Sequence, residues 1–101
     1  SLTEENLQKT QPTIRERTKF FFNNERFSDV NFLVRKVDGE RESKHVIPAL
    51  KLVLSICSPV FEAMFYGELP ETKQSIELPD CNYESLLELF RYIYSDEVAL
   101  N

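Results

Sequence analysis

The sequence predicts an α+β fold, a small sheet covered by helices, and three observations carry that prediction. Val30, Phe32 and Val34 alternate with their neighbours, as on a half-buried strand. Leu86, Leu89, Phe90, Ile93 and Tyr94 recur at the spacing of an amphipathic helix. Helix-start chemistry recurs at Thr13, Ser58 and Asn82, which separates the elements into helix, hairpin, two helices, strand and helix.

The first helix opens at Thr13-Ile14-Arg15-Glu16, a capping box in which Glu16 reaches back to the Thr13 backbone N–H. It is expected to run to Asn23 or Asn24. Phe20, Phe21 and Phe22 then sit about 100° apart around it, too wide an arc for one packing face. Either one or two rings enter the core with the third partly exposed, or the helix is covered on two sides. The strand Ser28 to Val34 follows, and Asp38-Gly39 supplies a hairpin turn because glycine tolerates positive φ. A returning strand is expected from about Ser43 to Ile47, ahead of Pro48. Leu50 to Ile56 reads as a short buried helix. Ser58 caps the next one, with Pro59 in its first turn, and the helix stops at Gly67. Ser75 to Leu78 alternates as a strand bounded by Pro79, and Asn82 caps a last helix from Tyr83 to Ser95. Leu87 and Tyr92 widen its apolar stripe, so it wants cover on more than one side.

Composition narrows the function. The chain holds 101 residues, 42% of them hydrophobic, enough for one small core. Residues 1–11 read as a flexible leader. The net charge is -5 with acids and bases interspersed, whereas a polyanion partner needs clustered Lys and Arg. Membrane-span and signal patterns are lacking, so the expected address is cytoplasmic, with the nucleus as a second compartment. One histidine, His45, and two distant cysteines, Cys57 and Cys81, offer neither metal-ligand spacing nor a redox motif. The cysteines read as buried thiols, with a mutual disulfide as the alternative. His45 reads as a surface or partly packed residue, and Glu84 with Glu88 as a solvated helix face. No nucleophile motif or glycine-rich phosphate loop is present. No enzyme, cofactor or metal is expected.

Five blocks then resemble, in order, those of the BTB/POZ domain family. They are Phe27-Ser28-Asp29-Val30-Asn31-Phe32, Lys51-Leu52-Val53-Leu54-Ser55, Ser58-Pro59-Val60-Phe61-Glu62-Ala63-Met64-Phe65, Ile76-Glu77-Leu78-Pro79-Asp80 and Leu89-Phe90-Arg91-Tyr92-Ile93-Tyr94-Ser95. Residues 12–101 would form the domain, C-terminally incomplete because family members continue with further helices. Pro12 to Arg17, Phe22 to Glu25 and Tyr94 to Val98 resemble the subgroup in which BACK and PHR domains follow. The resemblance implies a mostly three-stranded sheet with clustered helices, and a homodimer formed through the first helix and its neighbours. Ile14, Phe20, Phe21 and a paired Asp29 and Lys51 would lie at that interface, although Asp29 and Lys51 could equally be unrelated surface charges. The family usually has His before the basic residue, where this chain has Leu50.

Many family members are substrate adaptors that bind a cullin-3-type scaffold in a ubiquitin ligase complex. Their signature is an apolar residue, any residue, then Glu. It reads here Leu69-Pro70-Glu71, with Ala63, Met64 and Tyr94 flanking. Leu69 would fill an apolar pocket on the cullin, and Glu71 would order the loop or accept hydrogen bonds. Outside the family match, the same residues are an ordinary polar loop. The resemblance leaves two other readings, a corepressor-recruiting dimerisation module of a transcriptional regulator and a channel tetramerisation domain. The dimer-type first helix disfavours the last.

Overall fold

A computed structural model describes residues 14–95, with side chains from Glu16 onward. In order come α1 (Ile14–Lys19), β1 (Val30–Asp38), β2 (Arg41–Ala49), α2 (Lys51–Cys57), α3 (Pro59–Tyr66), β3 (Ser75–Asn82) and α4 (Tyr83–Ser95). The leader, the Thr13 cap and residues 96–101 lie outside the described residues.

The fold is α+β, with one three-stranded mixed sheet in the order β2-β1-β3. The hairpin between β1 and β2 is antiparallel, with Asp38 opposite Arg41. Gly39 takes φ +63° at the first place of its two-residue loop, where a side chain would be strained. Val30, Phe32 and Val34 are all buried, as their alternation requires. β3 runs parallel to β1.

Both proline-bounded strands are longer than expected. β2 passes through Pro48, which sits opposite Asn31. β3 passes through Pro79. Each is an outer strand among the described residues, and a missing ladder N–H is tolerated at an edge. Pro79 also falls where the register jumps from Leu33 opposite Glu77 to Arg35 opposite Asn82, so no regular ladder bond is required of it.

α1 is shorter than expected. After Lys19 the N–H groups of Phe20, Phe21 and Phe22 donate three residues back, at 3.1, 3.0 and 3.2 Å. Asn23 then turns to φ +51°, a conformation Asn accepts more readily than most residues, and Asn24 Nδ2 donates to the Phe20 carbonyl at 3.1 Å. This tightened end resolves the phenylalanine run. Phe21 and Phe22 pack against the core, whereas Phe20 is 72% exposed.

The other helices start where their caps are. Ser58 Oγ accepts from the Phe61 N–H at 3.4 Å, with Pro59 in the first turn. Asn82 Oδ1 accepts from the Ser85 N–H at 2.8 Å. In α4, Leu86, Phe90, Ile93 and Tyr94 are buried, while Leu89, counted in the same stripe, is exposed. The cysteines are not joined, and Cys57 is exposed, contrary to expectation, with Cys81 half-buried. Cys57 closes α2 on its open side, one residue past Ile56, which is also exposed.

Phe32 is the centre of the core. Fully buried on β1, its ring meets Phe61 at 5.8 Å, Phe65 at 6.4 Å and Phe90 at 5.4 Å, each near edge-to-face. That geometry sets positive ring edges against negative faces. One side chain thus joins the sheet to α3 and α4. Phe32→Ala is expected to cost about 3–5 kcal/mol out of a typical total of about 5–15 kcal/mol, measured by urea unfolding. A loss below about 1 kcal/mol would show that the aromatic cluster is not the organising core.

Candidate protein-docking site

α3 and the loop after it bring four of the five expected docking residues together. Phe61 and Phe65 bury one side of α3. On the other, the Ala63 carbonyl accepts the Gly67 N–H at 3.1 Å and the Met64 carbonyl accepts the Glu71 N–H at 2.7 Å. The first is the last regular bond of the helix, and the second folds residues 67–71 back onto its end. Gly67 has φ -78°, so it is not there for a left-handed turn. A Cβ at this position would collide with the Ala63 carbonyl oxygen. Closeness of backbones, not backbone handedness, requires glycine here.

Between those bonds Leu69 is 94% exposed. Ala63 is exposed, and Met64 and Glu71 are half-buried. Glu71 anchors the loop through its backbone N–H; its carboxylate has no hydrogen bond or ion pair among the described residues. Tyr94, expected beside the loop, is 1% exposed and presents no surface. Its Oη accepts the Leu50 N–H at 2.8 Å.

That bond belongs to a second constellation. α2 has no capping side chain of its own, and a helix start leaves N–H groups without partners. Tyr94 Oη takes one, and Asp29 Oδ1 takes the Lys51 N–H at 2.8 Å. Asp29 and Lys51 are therefore joined, but through the Lys51 backbone. Its ammonium lies 5.4 Å from the centre of the Phe65 ring. Burial pushes the Tyr94 hydroxyl pKa above its ordinary value; the Leu50 N–H opposes this, and the Asp29 carboxylate adds to it.

Of the residues expected at a self-interface, Ile14 begins α1, and its side chain lies outside the described residues. Phe20 points outward. Phe21 is half-buried, its ring 5.5 Å from that of Phe27. Phe27 itself is 67% exposed and holds φ +65°, a strained conformation for an aromatic residue, with the Arg26 guanidinium 5.1 Å from the ring centre. No periodicity could single out Phe27, because it lies between elements. Phe22 instead turns inward, 5.9 Å from the Tyr94 ring and 5.0 Å from the Arg91 guanidinium.

No chemistry gathers elsewhere among the described residues. No group of three or more His, Cys, Asp or Glu could hold a metal there, and no helix there is long and apolar enough to cross a membrane. His45 is half-buried, its Nε2 3.0 Å from Ser43 Oγ and its ring 5.1 Å from that of Tyr83.

Tyr94→Phe leaves the Leu50 N–H without its acceptor and is expected to cost about 1–3 kcal/mol at neutral pH. The raised pKa means the folded state holds the phenolic proton more firmly than the unfolded chain. Its contribution is therefore full below the ordinary tyrosine value and is lost as pH rises past about 10. The gap between wild type and Tyr94→Phe should narrow across that range in urea titrations. Equal stability at neutral pH would remove the bond's role.

Comparison with known proteins agrees with this architecture. The family model for the BTB/POZ domain matches residues 19–101. BTB/POZ domain-containing protein 6 of Mus musculus is 45% identical over 95 residues, covering 94% of this chain and 17% of the relative. BTB/POZ domain-containing protein 6-B of Danio rerio is 45% identical over 93 residues, covering 92% and 18%. BTB/POZ domain-containing protein 3 of Homo sapiens is 44% identical over 95 residues, covering 94% and 17%. This chain thus spans about a sixth of the length of the relatives it matches. With the sheet order, the aromatic core and the folded-back loop in place, the chain belongs to the BTB/POZ domain family.

Proposed function

We propose that this domain is a self-pairing adaptor that docks a cullin-3-type scaffold in a ubiquitin ligase complex, with substrate held by another part of the protein. BTB/POZ domains are generally interaction modules rather than enzymes, and they commonly homodimerise. The observation that carries the docking reading is Leu69, held clear of the surface by two backbone bonds at its base. With the backbone on either side of it held, binding need not order the loop that presents Leu69, which favours it as an anchor. Exposed Phe20 and Phe27, with Phe21 beside Phe27, support self-pairing next to α1, and exposed Leu52 and Ile56 share one face of α2. The likeness of residues 12–17, 22–25 and 94–98 to the subgroup carrying BACK and PHR domains supports a substrate site outside this chain. Such an adaptor would work in the cytoplasm, and in the nucleus where its substrate is nuclear.

Titrating the N-terminal domain of a cullin-3-type scaffold into the dimeric chain should give saturable heat. Leu69→Asp should weaken that binding by at least about 30-fold, with thermal midpoint and sedimentation unchanged because the side chain packs against nothing. Absence of binding by a well-folded dimer would refute the adaptor reading.

A further inference from the structure

We infer that this docking face is steered by charge, and that its partner surrounds the apolar pocket for Leu69 with lysine or arginine. The inference rests on the adaptor reading and adds the chemistry of the counter-surface. No cationic side chain occurs between Lys51 and Lys73. Within that stretch α3 and its loop carry Glu62, Glu68 and Glu71, none in an ion pair among the described residues. Three carboxylates elsewhere do find cations, Glu42 with Arg35 at 3.3 Å, Glu77 with Lys44 at 3.4 Å and Glu88 with Arg91 at 3.3 Å. Others such as Glu40 and Glu84 do not among the described residues, so what marks this face is the clustering of its acids without a cation between Lys51 and Lys73.

The placement of these three glutamates bears on why they are there. Glu62 lies in the first turn of α3, where the positive end of the helix dipole favours an anion. Glu68 and Glu71 lie just past the last turn, at the negative end, where the dipole opposes them. Around them Val60, Tyr66 and Leu69 are exposed, and Glu62 and Tyr66 are one helical turn apart on the same side. An apolar centre with an anionic rim that forms no ion pair among the described residues is complementary to an apolar pocket with a cationic rim. Such rims chiefly raise the rate of association.

The test is stopped-flow association of the intact chain with the N-terminal domain of a cullin-3-type scaffold, at about 30 mM and about 300 mM salt. Wild type should associate about tenfold more slowly at the higher salt. The double variant Glu62→Lys, Glu68→Lys should associate about tenfold more slowly than wild type at low salt, with dissociation changed much less. Single Glu68→Lys should slow association without lowering the thermal midpoint, which separates lost steering from lost folding. Salt-insensitive binding, or a double variant that associates as fast as wild type, overturns this inference and leaves the adaptor reading standing. No binding by wild type at either salt removes both. Growth of wild type beyond a dimer at low salt, absent in the double variant, would assign the anionic face to a second copy of this chain and overturn the partner proposed here.

Discussion

The structure depends on how the first N–H groups of α2 are satisfied. This helix begins directly after β2 and carries no capping side chain, so its partners come from distant parts of the chain. Asp29, just ahead of β1, accepts from Lys51, and its own N–H donates to the Ala49 carbonyl at 3.1 Å. Tyr94, near the end of α4, accepts from Leu50. The start of β1, the end of β2, the head of α2 and the end of α4 are thereby tied at one point. A buried phenol without a partner would be costly, as would helix N–H groups without acceptors, so each side of the arrangement needs the other.

From that point the aromatic core follows. Anchoring Tyr94 holds α4 against the sheet, and one helical turn earlier Phe90 meets Phe32. Phe61 and Phe65 complete the cluster from α3 and turn that helix so that Ala63 and Tyr66 face outward. The loop proposed for docking is built on this support: α3 packs on the core from beneath, and its last carbonyls hold the loop from above. Leu69 needs no packing of its own to keep its position. Rigid support of an exposed anchor is what distinguishes a preorganised docking site from a loose loop.

Much of this was legible in the residues. Alternation marked β1 because one face of the sheet is buried, and Ser58 and Asn82 marked helix starts because their side chains accept the bonds that define a cap. What escaped depends on tertiary context. Pro48 and Pro79 read as boundaries, but outer strands tolerate them. The phenylalanine run reads as α-helix because Asn23 marks where the stretch ends but not that the turn before it tightens to three-residue bonding. Cys57 read as buried from apolar neighbours, although Ile56 beside it is also exposed. The resemblance points Tyr94 to the docking surface, yet its buried hydroxyl serves a backbone N–H 44 residues away. Only the fold brings those two together. In the loop proposed for docking, Ala63, Met64, Leu69 and Glu71 are pointed to through the family resemblance, whereas the close backbone approach requiring Gly67 has no signal in the sequence.

The most direct test of this account is native-state hydrogen exchange at the Leu50, Lys51 and Glu71 amides. All three lie at or beyond the ends of regular elements, where amides ordinarily exchange quickly. The account predicts protection approaching that of Phe32 in the central strand for Leu50 and Lys51, and clear protection of Glu71 by the Met64 carbonyl. Exchange of all three at the rate of open loops would contradict it, and would mean that neither the head of α2 nor the docking loop is held as described.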